Sequence, residues 1–248
     1  MISIKTDREI ELMRNAGRIV AECHALIATI IKPGITSNQI NKEVENLILS
    51  KQATPEFKGY NGFPAATCCS PNEQVVHGFP NSVPLKEGDI LSVDIGVRYK
   101  GYIGDSAWTY TVGKVTKDVE MLCRETENSL FAGLSVIKEG IHLSDVSHAI
   151  EEHANKYKLG IVRNFAGHGV GNELHEAPEI VNYGPAGRGP ILKSGMTLAI
   201  EPMLNLGKDG VVIHDDAWTT TTVDKKYSAH YEHTILVTKT GYEILTKL

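Results

Sequence analysis

A chain of 248 residues, 42% hydrophobic and 22% charged, has the make-up of a soluble globular protein with room for a large core. A formal net charge of -5 and a pI of about 6.1 leave no basic surface of the kind that nucleic acid binding requires. No stretch is apolar over the roughly 18 residues of a membrane span, and "MISIKTDREIELMRNAGR" turns helical and charged at once, without a signal peptide's apolar centre.

Thr6-Asp7-Arg8-Glu9 reads as a capping box that opens a helix. Met13, Ala16, Val20, Cys23, Ile27 and Ile30 then recur at helical spacing up to a stop at Pro33-Gly34. A second box at Thr36–Gln39 opens a helix carrying Ile40, Val44, Leu47 and Ile48. Next comes "SVDIGVRYKGYIGDSAW", two strands in which Ser92, Asp94 and Gly96 alternate with Val93, Ile95 and Val97. A turn centred on Tyr99-Lys100 would set Arg98 against Gly101 and Asp94 directly opposite Asp105. Like charges facing each other on one side of a hairpin destabilise it, so this pair requires an explanation. Two more helices are predicted at about 116–138 and 144–157, and the last third reads as strands and loops. The cysteines, Cys23, Cys68, Cys69 and Cys123, show neither CxxC spacing nor a disulfide framework, which fits free thiols in a reducing cytoplasm.

The chain carries an internal echo. "IKPGITSNQINKEVE" (31–45) aligns with "IKEGIHLSDVSHAIE" (137–151), "HGFP" (77–80) with "HEAP" (175–178), and "KEGDILSVDIG" (86–96) with "KSGMTLAIEPM" (193–203). The order is the same each time, as expected if one helix–helix–strand unit was duplicated. Two similar halves, roughly 1–112 and 113–248, would then face each other within a single domain. Asp94 would stand level with Glu201 at the central cleft.

Glu232, in the β-rich run "AHYEHTILV", brings the acidic set to four, with His230 on its face and His233 on the other. Any one of these carboxylates alone reads as part of a solvated strand face. Asp94 and Glu201, however, are each bracketed by apolar residues, and unpaired buried carboxylates cost several kcal/mol each or take up protons. No run of Arg or Lys lies nearby, and divalent cations would neutralise the cluster. "GHGVGNELHEAP" adds His168 and His175, with glycines that suit close backbone approach rather than an ordinary strand; alone it reads as a turn with a bonded histidine. Many carboxylates with one or two imidazoles suit Mn, Fe or Co and tolerate Zn, whereas structural zinc favours Cys and His. Four carboxylates exceed the needs of one ion, so two ions about 3.5–4 Å apart are expected, hydrolysing an amide or a phosphate ester. No GxGxxG after a strand, Walker, HExxH or GxSxG motif competes, and Cys68 near His77 lacks a third group to make a thiol nucleophile.

With Asp94, Asp105, His168, Glu201 and Glu232 in this order, in "GHGVG", "LAIEPM" and "YEHT", the chain resembles the bacterial type I methionine aminopeptidases over essentially its whole length. The resemblance implies an α+β, pseudo-symmetric pita-bread (creatinase/aminopeptidase) fold, a central curved antiparallel sheet with helices on its outer face. It implies that Asp94 chelates one metal, that Asp105 and Glu232 bridge both, and that His168 and Glu201 complete the other. Glu201 would also shuttle a proton to the leaving amine, and His77 and His175 would contact the scissile peptide. The methionine pocket would draw on Tyr60, Phe63, Cys68 and Trp218, residues that plain core packing would also explain. Leu174, where many members carry an aromatic residue, and Asn61, where many carry His, depart from the family and bear on the pocket's shape. A monovalent-ion site would fall near Asn72 and Ser228. The implied enzyme is a cytoplasmic monomer acting on nascent polypeptide N-termini at the ribosome, with a preference for a small second residue. The long insertion of type II enzymes, the zinc-binding extension of eukaryotic type I forms and the N-terminal domain of prolidases are not expected here.

Overall fold

The structure, a computed structural model, describes residues 2–248. Its helices are α1 (Asp7–Ile30), α2 (Ser37–Ser50), α3 (Lys117–Ser135) and α4 (Leu143–Lys156). The capping boxes form as the sequence predicts. The Glu9 carboxylate accepts the Thr6 N–H at 2.7 Å, and Gln39 Oε1 accepts the Thr36 N–H at 2.9 Å. α3 stops three residues short of its expected end, at Ser135 rather than 138.

Strands Ile90–Tyr99 and Tyr102–Thr111 pair as a long hairpin, flanked by Thr54–Pro55 and Cys68–Pro71. The expected register is wrong by one rung of the same face. The turn centres on Lys100 and Gly101, both at positive φ (48° and 91°), so Tyr99 faces Tyr102. Two consecutive positive φ values match the twist of a two-residue hairpin loop, and Gly101 accepts one of them without cost. Asp94 therefore opposes Ala107, and Asp105 opposes Gly96. A slip of two in the pairing keeps every side chain on its face, so Asp94 and Asp105 still point the same way as diagonal neighbours.

Alternation along the hairpin divides its surroundings. Leu91, Val93, Ile95 and Val97 pack outward with Val20, Cys23 and Ile27 of α1 and Ile40, Val44 and Ile48 of α2. Ser92, Asp94 and Gly96 turn to the inner face with Asp105. A second antiparallel sheet runs Tyr242–Ile244, His233–Val237, Thr197–Ile200, Gly167–Gly169, Glu176–Ile180. Leu198, Ile200 and Ile235 of that sheet pack on Leu122, Leu130 and Leu134 of α3 and Val146 and Ile150 of α4. The two sheets join where Thr234 Oγ1 donates to Asp105 O at 2.8 Å and the Glu232 N–H donates to Ala107 O at 2.8 Å. The outcome is the expected α+β arrangement, helices outside and one inner face left for chemistry.

In both helix pairs the loop between the helices is stitched to the segment that leads into a long inner strand, Ile90–Tyr99 or Thr197–Ile200. The Gly34 N–H donates to Leu85 O and the Leu85 N–H to Ile35 O, at 2.7 and 2.8 Å. The Gly140 N–H donates to Leu192 O and the Leu192 N–H to Ile141 O, at 2.9 and 2.8 Å.

α1 lies against the hairpin through a contact between glycines. A Cβ on Gly104 would sit 2.6 Å from Gly17 N, and one on Gly17 would sit 2.3 Å from Leu245 O. Backbone cannot yield as a flexible side chain can. Gly17→Ala is expected to cost about 1–3 kcal/mol and to lower the thermal midpoint by roughly 2–12 °C, read by calorimetry; an unchanged midpoint would show that this contact is not tight.

Candidate metal centre

One cavity of about 230 Å³ is lined by Asp94, Asp105, His168, Glu201 and Glu232, by His77 and His175, and by Tyr60, Phe63, Cys68 and Trp218. Every site residue expected from the sequence thus meets at one place. Phe57, Asn61 and Leu174 also line it. Asp94 and Asp105 come from the hairpin. Glu201 follows the Thr197–Ile200 strand, and Glu232 lies between Ser228–His230 and His233–Val237. The last two are therefore at strand ends rather than within strands, where the backbone is free to aim them at the hairpin.

His168 sits in a strand after all, Gly167–Gly169, and the flanking glycines explain why. A Cβ on Gly167 would be 2.3 Å from Ala199 O, and one on Gly169 would be 2.3 Å from Ala177 O. The close approach they permit is between strands, not to a ligand. His168 Nδ1 lies 2.9 Å from Gly169 O, which places the proton there and leaves Nε2 bare. That nitrogen faces Glu201 Oε1 at 3.5 Å and Asp105 Oδ2 at 3.8 Å.

The cluster fits divalent cations. Asp94 Oδ1, Asp105 Oδ1 and Glu232 Oε1 are buried without a hydrogen-bond partner among the described residues. The ion pairs formed by Asp105, Glu201 and Glu232 are to imidazoles, not to Lys or Arg. Burial pushes Asp94 up to about 7 and Glu201 up to about 8, and holds Asp105 and Glu232 well above the usual carboxylate range. Two sets of potential ligand atoms, Asp105/His168/Glu232 and Glu201/His230/Glu232, each lie within 4.8 Å of one another and share Glu232. Hard oxygen donors with an imidazole or two suit Mn, Fe, Co or Zn better than a soft metal.

Around this centre, Tyr60 Oη is hydrogen-bonded to His175 Nδ1 at 2.7 Å, and His175 packs on His168 with ring centroids 4.4 Å apart. His77 is held edge-on between Phe165 and Trp218, at 5.3 and 5.9 Å, with its backbone at φ 59°. A left-handed non-glycine residue costs of order 1–3 kcal/mol and is found where a side chain must be aimed. Burial lowers the His77 imidazole to about 4, so it is neutral at pH 7. Phe63 packs edge-on against Trp218 at 5.1 Å, giving the cavity an aromatic wall. Cys68 is buried, and burial raises its thiol well above the ordinary value, which removes it as a nucleophile. Asn72 and Ser228 are neighbours, the Ser228 N–H donating to Asn72 O at 2.9 Å. The Asn72 amide nitrogen donates to Asp89 and its Oδ1 accepts from the Ile90 N–H, both at 3.0 Å.

The sequence places His230 on the face of Glu232 but gives it no part. In the structure its Nε2 lies 3.6 Å from Glu201 Oε2 and 3.9 Å from Glu232 Oε2. Lys5, far away in sequence, pairs with Glu176 at 2.6 Å and ties the N-terminal segment to the loop carrying His175. No local pattern announces either contact.

Buried carboxylates and imidazoles converging on an open, aromatic-walled cavity define a metal-dependent hydrolase. The model of metallopeptidase family M24 matches residues 11–239. Methionine aminopeptidase 1 of Bacillus subtilis (strain 168) is 50% identical over 248 residues, covering 100% of both chains. The crystal structure of methionine aminopeptidase from Thermotoga maritima superposes with a TM-score of 0.99 at 47% identity, covering 100% of both chains. Prolidase from Pyrococcus furiosus, with a TM-score of 0.79 at 23% identity over 99% of this chain and 65% of its own, shares the fold alone. The chain belongs to metallopeptidase family M24, among its methionine aminopeptidases. It is a metallo-aminopeptidase, a hydrolase with the pita-bread fold. No helix of the described residues is long and apolar enough to cross a membrane.

Proposed function

We propose that the chain removes the initiator methionine from nascent polypeptides with a small second residue, using two divalent cations held by Asp94, Asp105, His168, Glu201 and Glu232. The observation that carries this reading is the cluster of buried carboxylate oxygens without partners at an aromatic-walled cavity. Cations bound there lower the pKa of a water and polarise a carbonyl. Glu201 moves a proton from the attacking water to the leaving amine, since its carboxylate lies on the cavity wall with the other ligands. His77 and His175 bind the scissile peptide's oxygen as negative charge develops. Tyr60, Phe63, Cys68 and Trp218 receive the methionine side chain, whose thioether suits aromatic contacts. The metal is Co, Mn, Fe or Zn.

The enzyme acts in the cytoplasm as a monomer on chains emerging from the ribosome. Its four free, buried cysteines are consistent with a reducing compartment. The single catalytic domain is made of two repeated halves, roughly 1–112 and 113–248. The matching hydrogen bonds below α1–α2 and α3–α4 support that division.

Tyr60→Phe removes the hydrogen bond that orients His175. A net hydrogen bond of about 0.5–1.5 kcal/mol predicts a kcat/KM roughly 3- to 10-fold lower. Unchanged kinetics would mean that His175 is positioned without Tyr60. The central test compares Met-Ala-Ser with Ala-Pro peptides after chelation and restoration with each metal. Turnover of Met-Ala-Ser, falling as the second residue is enlarged, is expected. Preference for Ala-Pro would replace this reading with a prolidase-like one.

A further inference from the structure

Glu201 lies between two imidazoles, one at each oxygen. His168 Nε2 is 3.5 Å from Oε1, and His230 Nε2 is 3.6 Å from Oε2. The two rings differ in setting. His168 lines the cavity, whereas His230 is 2% exposed, is absent from the cavity wall, and stands behind the carboxylates. The backbone of His230 is fixed at both ends by Thr109 Oγ1, which accepts its N–H at 2.9 Å and donates to its carbonyl at 2.8 Å. Its ring is thereby turned so that Nε2, buried and without a partner, aims at Glu201 Oε2 and, at 3.9 Å, at Glu232 Oε2.

Once a bound cation keeps the carboxylates ionised, a buried nitrogen facing two of their oxygens satisfies itself by carrying the proton and donating it. Both gaps exceed a hydrogen bond, and carboxylate shifts of about 0.4 and 0.7 Å close them. We propose that His230 is a positioning residue. It donates its Nε2–H to the rear oxygens of Glu201 and Glu232, so that Glu201 keeps Oε1 free on the cavity side to carry the proton. The inference rests on the shuttle role given above to Glu201. Its sharpest consequence is that the two imidazoles beside Glu201 are opposite tautomers, His168 protonated on Nδ1 and His230 on Nε2. Groups that hold ligands from behind in this way typically change metal affinity by about 10- to 100-fold when removed.

The test uses the full chain labelled with nitrogen-15 histidine and loaded with diamagnetic Zn²⁺. Long-range proton–nitrogen correlation reads each tautomer directly, and His230→Gln assigns the His230 signals. A protonated Nε2 on His230 supports the proposal. A bare Nε2 overturns it, because His230 would then be an additional ligand or an idle side chain. Calorimetric Zn²⁺ titration and steady-state kinetics of His230→Ala and His230→Gln provide the second measurement. His230→Ala should bind about 10-fold more weakly or worse and lose kcat with little change in KM, while His230→Gln, whose amide donates from the same place, recovers most of both. Equal defects in the two variants would also overturn the proposal. If the wild-type protein turns over no Met-initiated peptide, the function assigned above fails, whereas the tautomer result stands independently of it.

Discussion

Replacing Glu201 by Gln should lower the turnover of a Met-initiated tripeptide about 10³-fold, within the range of a lost general acid–base group, while raising the thermal midpoint of the metal-free protein. The two effects have one cause. Glu201 is a buried carboxylate whose side chain is 12% exposed, next to Asp94, Asp105 and Glu232, and burial has pushed its carboxyl up to about 8. A carboxyl on the cavity wall can take and return a proton there, and in the metal-free protein its charge, above that pH, destabilises the cluster that holds it. The amide keeps the shape and cannot ionise, so it relieves the repulsion and cannot shuttle. Single-turnover kinetics at saturating substrate and calorimetry in a chelator read the two sides. A variant that keeps more than about a tenth of the turnover would remove Glu201 from the proton-transfer step.

That trade between stability and chemistry explains why much of the site was legible in the sequence. Four carboxylates without basic partners are conspicuous because packing alone would not retain them, and the strand alternation around Asp94 already fixed which side faces the cavity. The hairpin register was misread because a turn on Tyr99-Lys100 looks acceptable until positive φ is required at two adjacent positions, which Lys100-Gly101 supplies. The face survived because the error was an even number of residues. The glycines beside His168 read as room for a ligand rather than as part of a strand, because glycine weakens strands. Here the glycines make room for the carbonyls of Ala199 and Ala177 on neighbouring strands, a tertiary demand with no local signature. The pairing of Tyr60 with His175 and the aim of His230 depend on segments far apart in the chain, which periodicity and spacing do not join.

The metal-free protein is expected to lose stability as pH rises from about 7.5 to 8.5, the reverse of the usual behaviour of native carboxylates. The folded-state carboxyls of Asp94 and Glu201 are raised from 3.8 and 4.5 to about 7 and about 8, and those of Asp105 and Glu232 lie well above the ordinary range. Between the unfolded and folded values the native state holds more protons than the unfolded chain, so stability falls with pH. Histidines act in the opposite sense lower down. His24, His77, His168 and His233 are each lowered by burial from 6.5 to about 4, so the native state holds fewer protons there and this contribution climbs with pH until the unfolded histidines have also lost theirs. Near 6.5 the two trends oppose each other, because the unfolded histidines are still half protonated. About one unit higher the histidines are neutral in both states and the carboxylates act alone. Each proton that the native state holds in excess of the unfolded chain amounts to about 1.4 kcal/mol per pH unit, or a midpoint lowered by roughly 3–6 °C. Divalent ions supply the missing positive charge and bind only the folded cluster, so loading should flatten the slope as well as raise the midpoint. Calorimetry across this pH range, with chelator and with Mn²⁺ or Zn²⁺, separates the two states. A metal-free midpoint that stays level or rises above pH 7.5 would mean that the carboxylates are already ionised without a cation and that the buried cluster is better solvated than its geometry indicates.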